Sequence, residues 1–245
     1  MCIYCDSKNE TIPGNPDTSG KHKCAKMPKV VDRVFEVPLV REDVRGLMQA
    51  AFITKVGRHH EQHAVIYKGD IQNITPDTVV TIRINSACYT GDIFHDQLCD
   101  CNWQMEEAFR IIEANDGVGM LLYHFAHEGK GFGYFRKLKS FDEKSQMYPV
   151  PGDIRDFLHA VAILKDLGVK KVRVMTNNPE KQQVLRDHGI EIVETVPVVS
   201  RDSRHKDFYQ YKRDVWGHAL PGREDWTDGN GTSNGDGAGE ETRKS

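Results

Sequence analysis

The sequence predicts an α+β fold in which a mixed β-sheet is flanked by helices. Strand-type patterns, with β-branched and apolar residues in alternation or in short runs, recur along the chain. Helix-type patterns, with apolar residues at i, i+3, i+4 and i+7, follow several of these strands. A chain of 245 residues is long enough to build one substantial core from both kinds of element.

The first elements are predicted to be mainly strands. Residues 30–40 and 64–67 alternate apolar and polar side chains, and residues 78–86 (TVVTIRINS) have the strongest strand pattern. Residues 42–53 place apolar side chains at helical spacing and predict a helix. A histidine-rich stretch follows, which we interpret as a solvated loop, with metal binding as the alternative; its histidines are His59, His60 and His63.

The later elements alternate between strands and helices. Apolar residues at helical spacing predict one helix after Cys101 and another after Asp153. Strands are predicted at residues 118–124, 171–175 and 190–199, with a short helix between the last two. Cys99 and Cys101 then lie at or before a helix N-terminus, where the helix dipole favours thiolates and bound anions.

Both ends of the chain differ from the predicted catalytic domain at residues 29–220. Residues 1–28 are polar and rich in turn formers, and we interpret them as a mobile arm with free thiols. The alternative is a small structural zinc knuckle formed by Cys2, Cys5, His22 and Cys24. Residues 221–245 are dominated by Gly, Asn, Ser and Thr and predict a disordered acidic tail.

The charge pattern argues against a general affinity for nucleic acids or membranes. The net charge of −3 resides in residues 221–245, which hold six acidic and three basic side chains, so the rest is formally neutral. No apolar run approaches the ~20 residues that span a bilayer, and the N-terminus lacks a signal-peptide pattern. We therefore expect a cytoplasmic protein in which locally placed bases hold any anionic ligand.

Three cysteines between a predicted strand and a predicted helix indicate a metal site. Cys88, Cys99 and Cys101 follow the pattern Cys-x10-Cys-x-Cys. Three thiolates that reach one point form a soft, anionic site suited to zinc. Three protein ligands with an open fourth position are typical of catalytic zinc, which lowers the pKa of a bound water. The pattern therefore favours a zinc-dependent hydrolase.

Other interpretations of the cysteines remain open. A fourth ligand, for which His95 and His124 are candidates, would make the site structural. A disulfide would need an oxidising compartment, for which nothing argues. Three inert buried thiols are the third possibility, since free cysteine often behaves as a small apolar residue.

Three further segments carry polar groups suited to an anionic or polar ligand. The glycine-rich residues 127–133 (HEGKGFG) follow a strand and allow a close backbone approach to a phosphate. Residues 176–181 (TNNPEK) connect a strand to a helix and could hydrogen-bond a polar ring or phosphate. Taken alone, Asp153 is interpreted as a helix N-cap and Arg155 as a solvated first-turn base.

Taken together, these motifs resemble GTP cyclohydrolase II over roughly residues 60–220. The cysteine spacing is the most specific part of the match. The matching segments are residues 88–92, 99–101 with Gln104, 121–124, 128–133, 153–157, 167–169, 176–179 with Lys181, and Lys212 with 217–218.

The resemblance implies a mechanism as well as a fold. By it, Cys88, Cys99 and Cys101 hold one zinc ion, and a water activated by the zinc attacks C8 of guanine, so that the imidazole ring opens and formate leaves. Arg155 matches the residue proposed to attack the α-phosphorus and release pyrophosphate, with Asp153 as its proton acceptor. Because arginine is almost always protonated, a charge-stabilising role for Arg155 is the alternative.

The resemblance also implies the remaining site residues and partners. Tyr123 matches an active-site tyrosine that would orient the reacting group or donate to it. The residues that match positions contacting guanine or the triphosphate are Arg83, Gln104, Glu128, Lys130, Thr176 and Lys181. A bound GTP would bring Mg²⁺ with its triphosphate, and the family implies a homodimer.

Several departures from the family pattern lie around the expected substrate. Lys130 replaces the usual arginine and cannot make its bidentate fork. One extra residue lies between Tyr123 and Glu128, and Ala87 replaces a glutamate. The segment at 134–152 is shorter than in the family. Two alternatives therefore stay open: a divergent enzyme acting on another nucleotide or heterocycle, and a non-catalytic zinc-stabilised nucleotide-binding protein.

Overall fold

The structure is a computed structural model that describes residues 26–142 and 153–200, together with Asp202, Tyr209, Gln210, 212–214, 217, 218 and 220. The predicted N-terminal arm, apart from residues 26–28, lies outside the described residues, as does the predicted tail at 221–245. The zinc knuckle considered for the arm lies outside them as well.

A single mixed sheet organises the described residues. Its seven strands lie in the order β1-β2-β3-β5-β4-β6-β7. Strands β1, β2, β3 and β5 pair antiparallel, whereas β5, β4, β6 and β7 pair parallel. The strands are β1 Lys29–Pro38, β2 Met48–Val56, β3 His59–Lys68, β4 Val79–Ser86, β5 Gly119–His124, β6 Lys171–Met175 and β7 Glu191–Val196.

Helices cover both faces of this sheet. Helix α2 packs apolar side chains such as Phe109 and Ile112 on one face, and α4 packs Val161 and Leu164 on the other. No helix among the described residues is long and apolar enough to cross a membrane. The helices are α1 Tyr89–Asp92, α2 Cys101–Ala114, α3 Gly133–Asp142, α4 Leu158–Asp166 and α5 Pro179–Asp187, with a 3-10 segment at Phe125–Gly131.

The predicted α+β class and mixed sheet are confirmed. Strand β4 is buried over nearly its whole length because it lies between β5 and β6, with helices covering both faces. Helix α2 begins at Cys101 and buries Ala108, Phe109 and Ile112, as its apolar spacing predicts.

The helix predicted at residues 42–53 is wrong. Residues Met48–Val56 form β2, in which Ala50, Phe52, Thr54 and Val56 are buried at every second position. Period-two burial, satisfied by pairing on both sides with β1 and β3, outweighs the coincidental helical spacing of the apolar residues.

The solvated histidine loop is also a wrong prediction. His59, His60 and His63 lie in β3, which begins at His59. His59 and His60 are exposed, but His63 is only 1% exposed. Its Nε2 lies 2.7 Å from Thr54 Oγ1, and its Nδ1 lies 2.9 Å from Nδ1 of His124. A strand that points alternate side chains inward therefore buries the third histidine.

Candidate active site

A cavity of about 190 Å³ lies at the carboxyl ends of the parallel strands. Strand β4 contributes Arg83, Asn85 and Ser86, and Thr176 follows directly after β6. In open sheets with parallel strands, this edge is where ligands bind, because strand ends and helix N-termini converge there. The sheet therefore gathers residues that are distant in sequence around one space.

The three predicted cysteines meet at one wall of this cavity. Cys88 follows β4, whereas Cys99 and Cys101 lie at the start of α2. The three Sγ atoms lie within 4.8 Å of one another, and those of Cys88 and Cys99 are 3.5 Å apart. Three sulfurs at these separations can share one cation at the ~2.3 Å bond length of zinc. The donor set and its spacing therefore fit zinc.

Gly91 in α1 allows this convergence. A Cβ atom at Gly91 would lie 3.2 Å from Cys99 Sγ and 3.3 Å from both Cys88 Sγ and Cys101 Cβ. These distances are shorter than nine in ten real Cβ contacts, so the neighbouring atoms would have to move by a few tenths of an ångström. The short helix between the first two cysteines therefore packs directly against the sulfur cluster, and only glycine fits there without displacing it.

A lysine lies against the sulfur cluster. Lys137 on α3 donates to Cys88 Sγ at 2.9 Å, and its Nζ lies 3.0 Å from Glu128 Oε1. Hydrogen bonds from the Cys101 and Cys99 thiols, reinforced by the Lys137 ammonium, outweigh burial and lower the pKa of Cys88 far below its usual range. These surroundings therefore favour the thiolate form of Cys88, which is the form that binds metals.

Neither histidine considered as a fourth ligand joins the cysteines. His95 is exposed, and His124 packs against His63 and His127 in the interior. Among the residues that the structure describes, the metal-binding group at this wall consists of Cys88, Cys99 and Cys101. The arrangement has the three-ligand form of a catalytic zinc site.

A buried network next to the cysteines orients two predicted binding residues. Arg83 donates to Asn85 Oδ1 at 2.9 Å and to Gln104 Oε1 at 2.7 Å. Gln104 donates in turn to Asp100, which also accepts from the Tyr209 hydroxyl. Because each group is held by its neighbour, the guanidinium of Arg83 and the amide of Gln104 enter the cavity wall in fixed orientations.

Asp153 and Arg155 form a tight ion pair, of which Arg155 lines the cavity. Arg155 Nε donates to Asp153 Oδ1 at 2.8 Å, its Nη2 donates to Asp153 Oδ2, and its Nη1 donates to Ser86 Oγ at 3.2 Å. Burial opposes the charge of Arg155, but the Asp153 carboxylate outweighs burial and raises the pKa of Arg155. The guanidinium is therefore a fixed cation.

The interpretation of Asp153 as a helix N-cap is wrong. Helix α4 begins at Leu158, and its N-cap position is Phe157. The Asp153 carboxylate instead accepts the backbone N–H and the guanidinium of Arg155. Arg155 is correspondingly not a solvated first-turn base, since it lies in the cavity wall above the Phe157 ring, 5.3 Å from its centroid.

The cavity is strongly cationic. Lys181 is buried and donates to the carbonyl of Ile84 at 2.8 Å, and burial, followed by the charges of Arg155 and Arg83, lowers the pKa of Lys181. Burial also lowers the pKa of Lys130 to about 8. Such a concentration of like charge favours a polyanionic ligand. The cationic side chains of the lining are Arg83, Lys130, Lys137, Arg155, Lys181 and Lys212.

Comparison with known proteins agrees with this geometry. The family described as GTP cyclohydrolase II matches residues 44–197, which include the cysteines, the ion pair and the strands that carry them. The chain belongs to the GTP cyclohydrolase II family. The resemblance predicted from its motifs is thereby confirmed.

Similar relatives of this family member are bacterial proteins called riboflavin biosynthesis protein RibBA. The protein from Aquifex aeolicus is 39% identical over 154 residues, covering 59% of this chain and 38% of the relative. The protein from Chlorobium phaeovibrioides is 35% identical over 204 residues, which cover 78% of this chain and 47% of the relative. The protein from Mycobacterium ulcerans is 32% identical over 214 residues, which cover 82% of this chain and 49% of the relative. The chain thus spans about half the length of these relatives or less.

Most residues that match the family pattern line the cavity, but three lie behind it. Tyr123 donates to Asp92 Oδ2 at 2.7 Å, and that oxygen also accepts the Cys88 N–H at 2.9 Å. Glu128 accepts the backbone N–H of Tyr89 and pairs with Lys137, and Asp153 pairs with Arg155. The lining includes Arg83, Gln104, Lys130, Arg155, Thr176, Lys181 and the three cysteines.

Sequence reasoning missed several residues of this family member's cavity. Lys137 lies in the segment that departs from the family pattern, so no motif pointed to it. His127 and Ser86 lie beside motif residues, and their Nδ1 and Oγ atoms are 3.1 Å apart. Asp100 lies between two predicted ligands, which was the one available signal for it.

Proposed function

We propose that this protein opens the imidazole ring of guanine in GTP by hydrolysis, releasing formate and pyrophosphate and leaving a diaminopyrimidine ribosylamino phosphate. The observation that supports this proposal most directly is the close approach of a three-thiol cluster and a cationic cavity. The first fits a catalytic metal and the second fits a triphosphate.

Zinc is the proposed metal, held by Cys88, Cys99 and Cys101. When bound there, zinc would supply a Lewis acid that makes water nucleophilic at neutral pH and stabilises developing negative charge. Lys137 keeps the Cys88 sulfur anionic through its 2.9 Å contact. Asp92 receives the Cys88 N–H and the Tyr123 hydroxyl, and this bridge fixes the tyrosine next to the metal ligands.

Tyr123 and Asp92 are proposed to handle a proton near the metal. Burial raises the pKa of Asp92 to about 6, so this carboxyl titrates close to neutral pH. A general acid or base works best when its pKa is near the operating pH. The 2.7 Å bond between the two side chains allows a proton to be shared between the reacting group, the tyrosine and the carboxylate.

For the phosphate end, we propose that Arg155 stabilises charge and does not attack phosphorus. A guanidinium paired through two nitrogens with Asp153 is held in its protonated form, which is not nucleophilic. Lys130, Lys181 and Arg83 are proposed to bind the remaining phosphate oxygens, with Mg²⁺ accompanying the triphosphate. Gln104 and Thr176 are proposed to contact guanine or the ribose.

A second candidate is the same chemistry on a different nucleotide or heterocycle. The observation that favours it is the placement of α3, which carries Lys137 into the cavity from the segment where this chain departs from the family pattern. A lysine at this wall changes the hydrogen-bond donors that a base would meet. A site built around specific donors rejects bases that leave those donors unpaired.

The biological setting is proposed from the relatives. Since they are called riboflavin biosynthesis proteins, we place this chain in the same route. We also propose that residues 29–220 form the catalytic domain, that it acts as a cytoplasmic homodimer, and that it interacts with neither nucleic acid nor membrane.

The test is incubation of zinc-loaded protein with GTP and Mg²⁺, followed by assays for formate, pyrophosphate and the diaminopyrimidine. All three products are expected. Turnover of another nucleotide or heterocycle, with none from GTP, would support the second candidate. Tight nucleotide binding without turnover would point to a non-catalytic nucleotide-binding protein and refute the hydrolase.

A cysteine variant tests the metal assignment. Cys99→Ser should abolish ring opening and lower the zinc content, because it removes one of three ligands. Cys24→Ser, outside the trio, is the matched control and should keep full ring-opening activity. Full activity in Cys99→Ser would contradict the assigned ligand set.

A further inference from the structure

A second group of metal-ligating side chains lies away from the cysteines, between the sheet and the start of α4. Glu61 and His63 project from the same face of β3, and Asp156 and His159 lie three residues apart around the start of α4. Thr54, which is paired with Glu61 in the neighbouring strand, lies beneath them. Ligand atoms of Glu61, His63 and His159 lie within 4.8 Å of one another.

Two carboxylates in this group each have a buried oxygen that accepts no hydrogen bond from the described residues. The Glu61 side chain is only 9% exposed, and no donor among the described residues reaches its Oε1 atom or Oδ2 of Asp156. Burial, followed by repulsion from Asp156, raises the pKa of Glu61 to about 7. A buried carboxylate oxygen is normally hydrogen-bonded, paired or bound to a metal, and neither of these two oxygens has a hydrogen-bonded partner within the part of the chain that the structure describes.

The His159 ring is oriented towards both carboxylates. Its Nδ1 lies 2.6 Å from Thr54 Oγ1, while its Nε2 lies 3.7 Å from Glu61 Oε1 and 4.0 Å from Asp156 Oδ2. The last two distances are too long for hydrogen bonds. Two ligands of a tetrahedral zinc with bonds of ~2.0–2.2 Å lie about 3.3–3.6 Å apart, so each carboxylate needs to move by less than about 0.7 Å to share one cation with Nε2.

The neighbouring hydrogen bonds suit a metal-binding tautomer of His159. When Nδ1–H donates to Thr54, the Nε2 lone pair faces the carboxylates. The threonine hydroxyl is then free to donate to His63 Nε2, 2.7 Å away, and His63 Nδ1–H to donate to His124 Nδ1. A histidine that binds a metal typically donates its other N–H to an oxygen in this way. Both His63 nitrogens are engaged, which leaves His63 as a supporting residue.

We propose that Glu61 and His159, with the neighbouring carboxylate of Asp156, bind a second divalent cation, of the zinc class, at a site separate from the three cysteines. One imidazole nitrogen and two carboxylate oxygens are ligands that zinc accepts, and none is a thiolate. The cation neutralises the carboxylate of Glu61 and the partly buried carboxylate of Asp156. This assignment does not depend on the reaction proposed above.

The position of the site gives the cation a bracing role. The cation would connect β3 to the turn before α4, and that turn also contains Arg155. His127, in the cavity lining, contacts the same turn, with its Nε2 atom 3.2 Å from the carbonyl oxygen of Asp156. A cation bound to Asp156 therefore holds the backbone next to Arg155 in place.

The test compares the metal content of full-length wild-type protein with that of Glu61→Gln and Asp156→Asn. Both substitutions keep the side-chain shape, and asparagine can still accept the bond that Asp156 Oδ1 receives from the Leu158 N–H. After dialysis against metal-free buffer, each variant should contain one equivalent of zinc per chain less than wild type. Because the result is the difference in zinc content between variant and wild type, any zinc bound by the N-terminal cysteines cancels.

Cobalt substitution then identifies which site is lost. Thiolate-to-cobalt charge-transfer bands should be unchanged in Glu61→Gln and absent in Cys99→Ser, whereas Cys99→Ser should keep the cation bound by oxygen and nitrogen. Glu107→Gln is the matched control, since Glu107 is partly exposed on α2 and pairs with Arg110, and it should keep the full metal content.

Anomalous diffraction from wild-type crystals at the zinc edge provides a test that needs no variant. A peak is expected about 2.0–2.2 Å from Glu61 Oε1 and from His159 Nε2, besides the peak at the cysteines. The proposal is refuted if crystals show zinc at the cysteines and no peak at Glu61. It is equally refuted if Glu61→Gln retains all the metal of wild type.

Discussion

Lys137 sets the charge of the sulfur cluster more directly than any other cation in the cavity. Lys137 donates to a sulfur of the candidate metal site, and its second contact, with Glu128, holds it there. A positive charge beside a thiolate stabilises the anion and therefore lowers the pKa of the thiol. The cluster therefore already carries the negative charge that a metal cation requires of its ligands.

Lys137→Met should raise the pKa of the Cys88 thiol in metal-free protein. Loss of a charged hydrogen bond, worth about 1.5–3 kcal/mol, should move the pH at which alkylation of Cys88 reaches half its maximal rate upwards by roughly 1–2 pH units. Peptide-resolved rates of reaction with iodoacetamide across a pH series measure the change. Lys139→Met, on the same helix, is the control and should leave the profile of Cys88 unmoved. An unchanged profile in Lys137→Met would show that the thiols alone stabilise the anion.

Arg155→Lys tests whether the guanidinium acts at the phosphate end. Lysine keeps the charge but cannot make the two-nitrogen pair with Asp153. Release of pyrophosphate should fall by roughly 10- to 150-fold, the equivalent of about 1.5–3 kcal/mol, while formate release falls less. Separate assays of the two products from the same reaction give the ratio. If the release of pyrophosphate and of formate fell equally, Arg155 would instead contribute to binding of the whole nucleotide.

The short helix α1 has an influence out of proportion to its four residues. It fills the space between Cys88, at the end of β4, and the segment that leads to Cys99 and α2. Backbone N–H groups in this region also serve the site, since the Cys88 N–H bonds to Asp92 and the Tyr89 N–H bonds to Glu128. The element thus positions both the ligands and the groups that support them.

Gly91→Ala should weaken metal binding while leaving the fold intact. The added methyl would lie 3.2–3.3 Å from atoms of the three cysteines and would push the sulfurs apart. Competition with a chromogenic zinc chelator should show a lower zinc affinity. Gly117→Ala is the matched control, because its methyl would meet Asn115 at an ordinary 3.6 Å. Equal zinc affinity in the two variants would mean that α1 moves to accommodate the methyl.

Buried imidazoles link the stability of the whole molecule to pH. Burial lowers the pKa of His63 to about 3 and that of His159 to about 4, against 6.5 for the free side chain. Burial also places the pKa of His124 and of His127 well below 6.5. The folded state keeps all four rings neutral, whereas the unfolded chain protonates them below pH 6.5. Their contribution to stability is complete above 6.5 and is lost as the pH falls towards 4 and 3.

The free energy of unfolding of metal-free protein should therefore decrease as the pH is lowered from 6.5 to 4. Each net proton taken up on unfolding contributes about 1.4 kcal/mol per pH unit. Three carboxyls with a raised pKa oppose the trend, because they release protons on unfolding; they are Glu61, Asp92 and Asp156. Urea titrations across this range, with a chelator present throughout, give the slope.

Two histidine variants separate this effect from general acid sensitivity. His127→Gln should reduce the slope by the contribution of one proton, because it removes one buried ring. His60→Gln, at an exposed position of β3, should leave the slope as in wild type. A free energy of unfolding that is flat or rises between pH 6.5 and 4 would contradict the prediction.

The errors in secondary structure have a common physical origin. Residues 42–53 carry apolar side chains whose spacing fits a helix, but Met48–Val56 pairs on both sides with other strands. Long-range pairing overrides local spacing, and a single sequence does not contain it. His63 was misassigned for the same reason, because its burial depends on α4 and β5 packing against β3.

The candidate site was predictable where a motif carried it. Cysteine spacing pointed to the ligands, and the match to a family pattern pointed to Asp153, Arg155 and Lys181. Lys137 and Tyr209 have no motif, and they reach the site because α3 and the C-terminal segment fold back onto the cavity. Such residues can be identified only from the tertiary structure, because they come close to the site from distant parts of the chain.

The sequence alone determined the family and most of the elements, and it pointed to Cys88, Cys99 and Cys101 as candidate metal ligands, since these depend on residue type and spacing along the chain. The tertiary structure alone decided the convergence of the three sulfurs, the placement of Lys137 on Cys88 and the burial of Glu61 beside Asp156. Electrostatic and hydrogen-bond energies depend on separation in space and on exclusion of water, and neither is encoded in spacing along a chain.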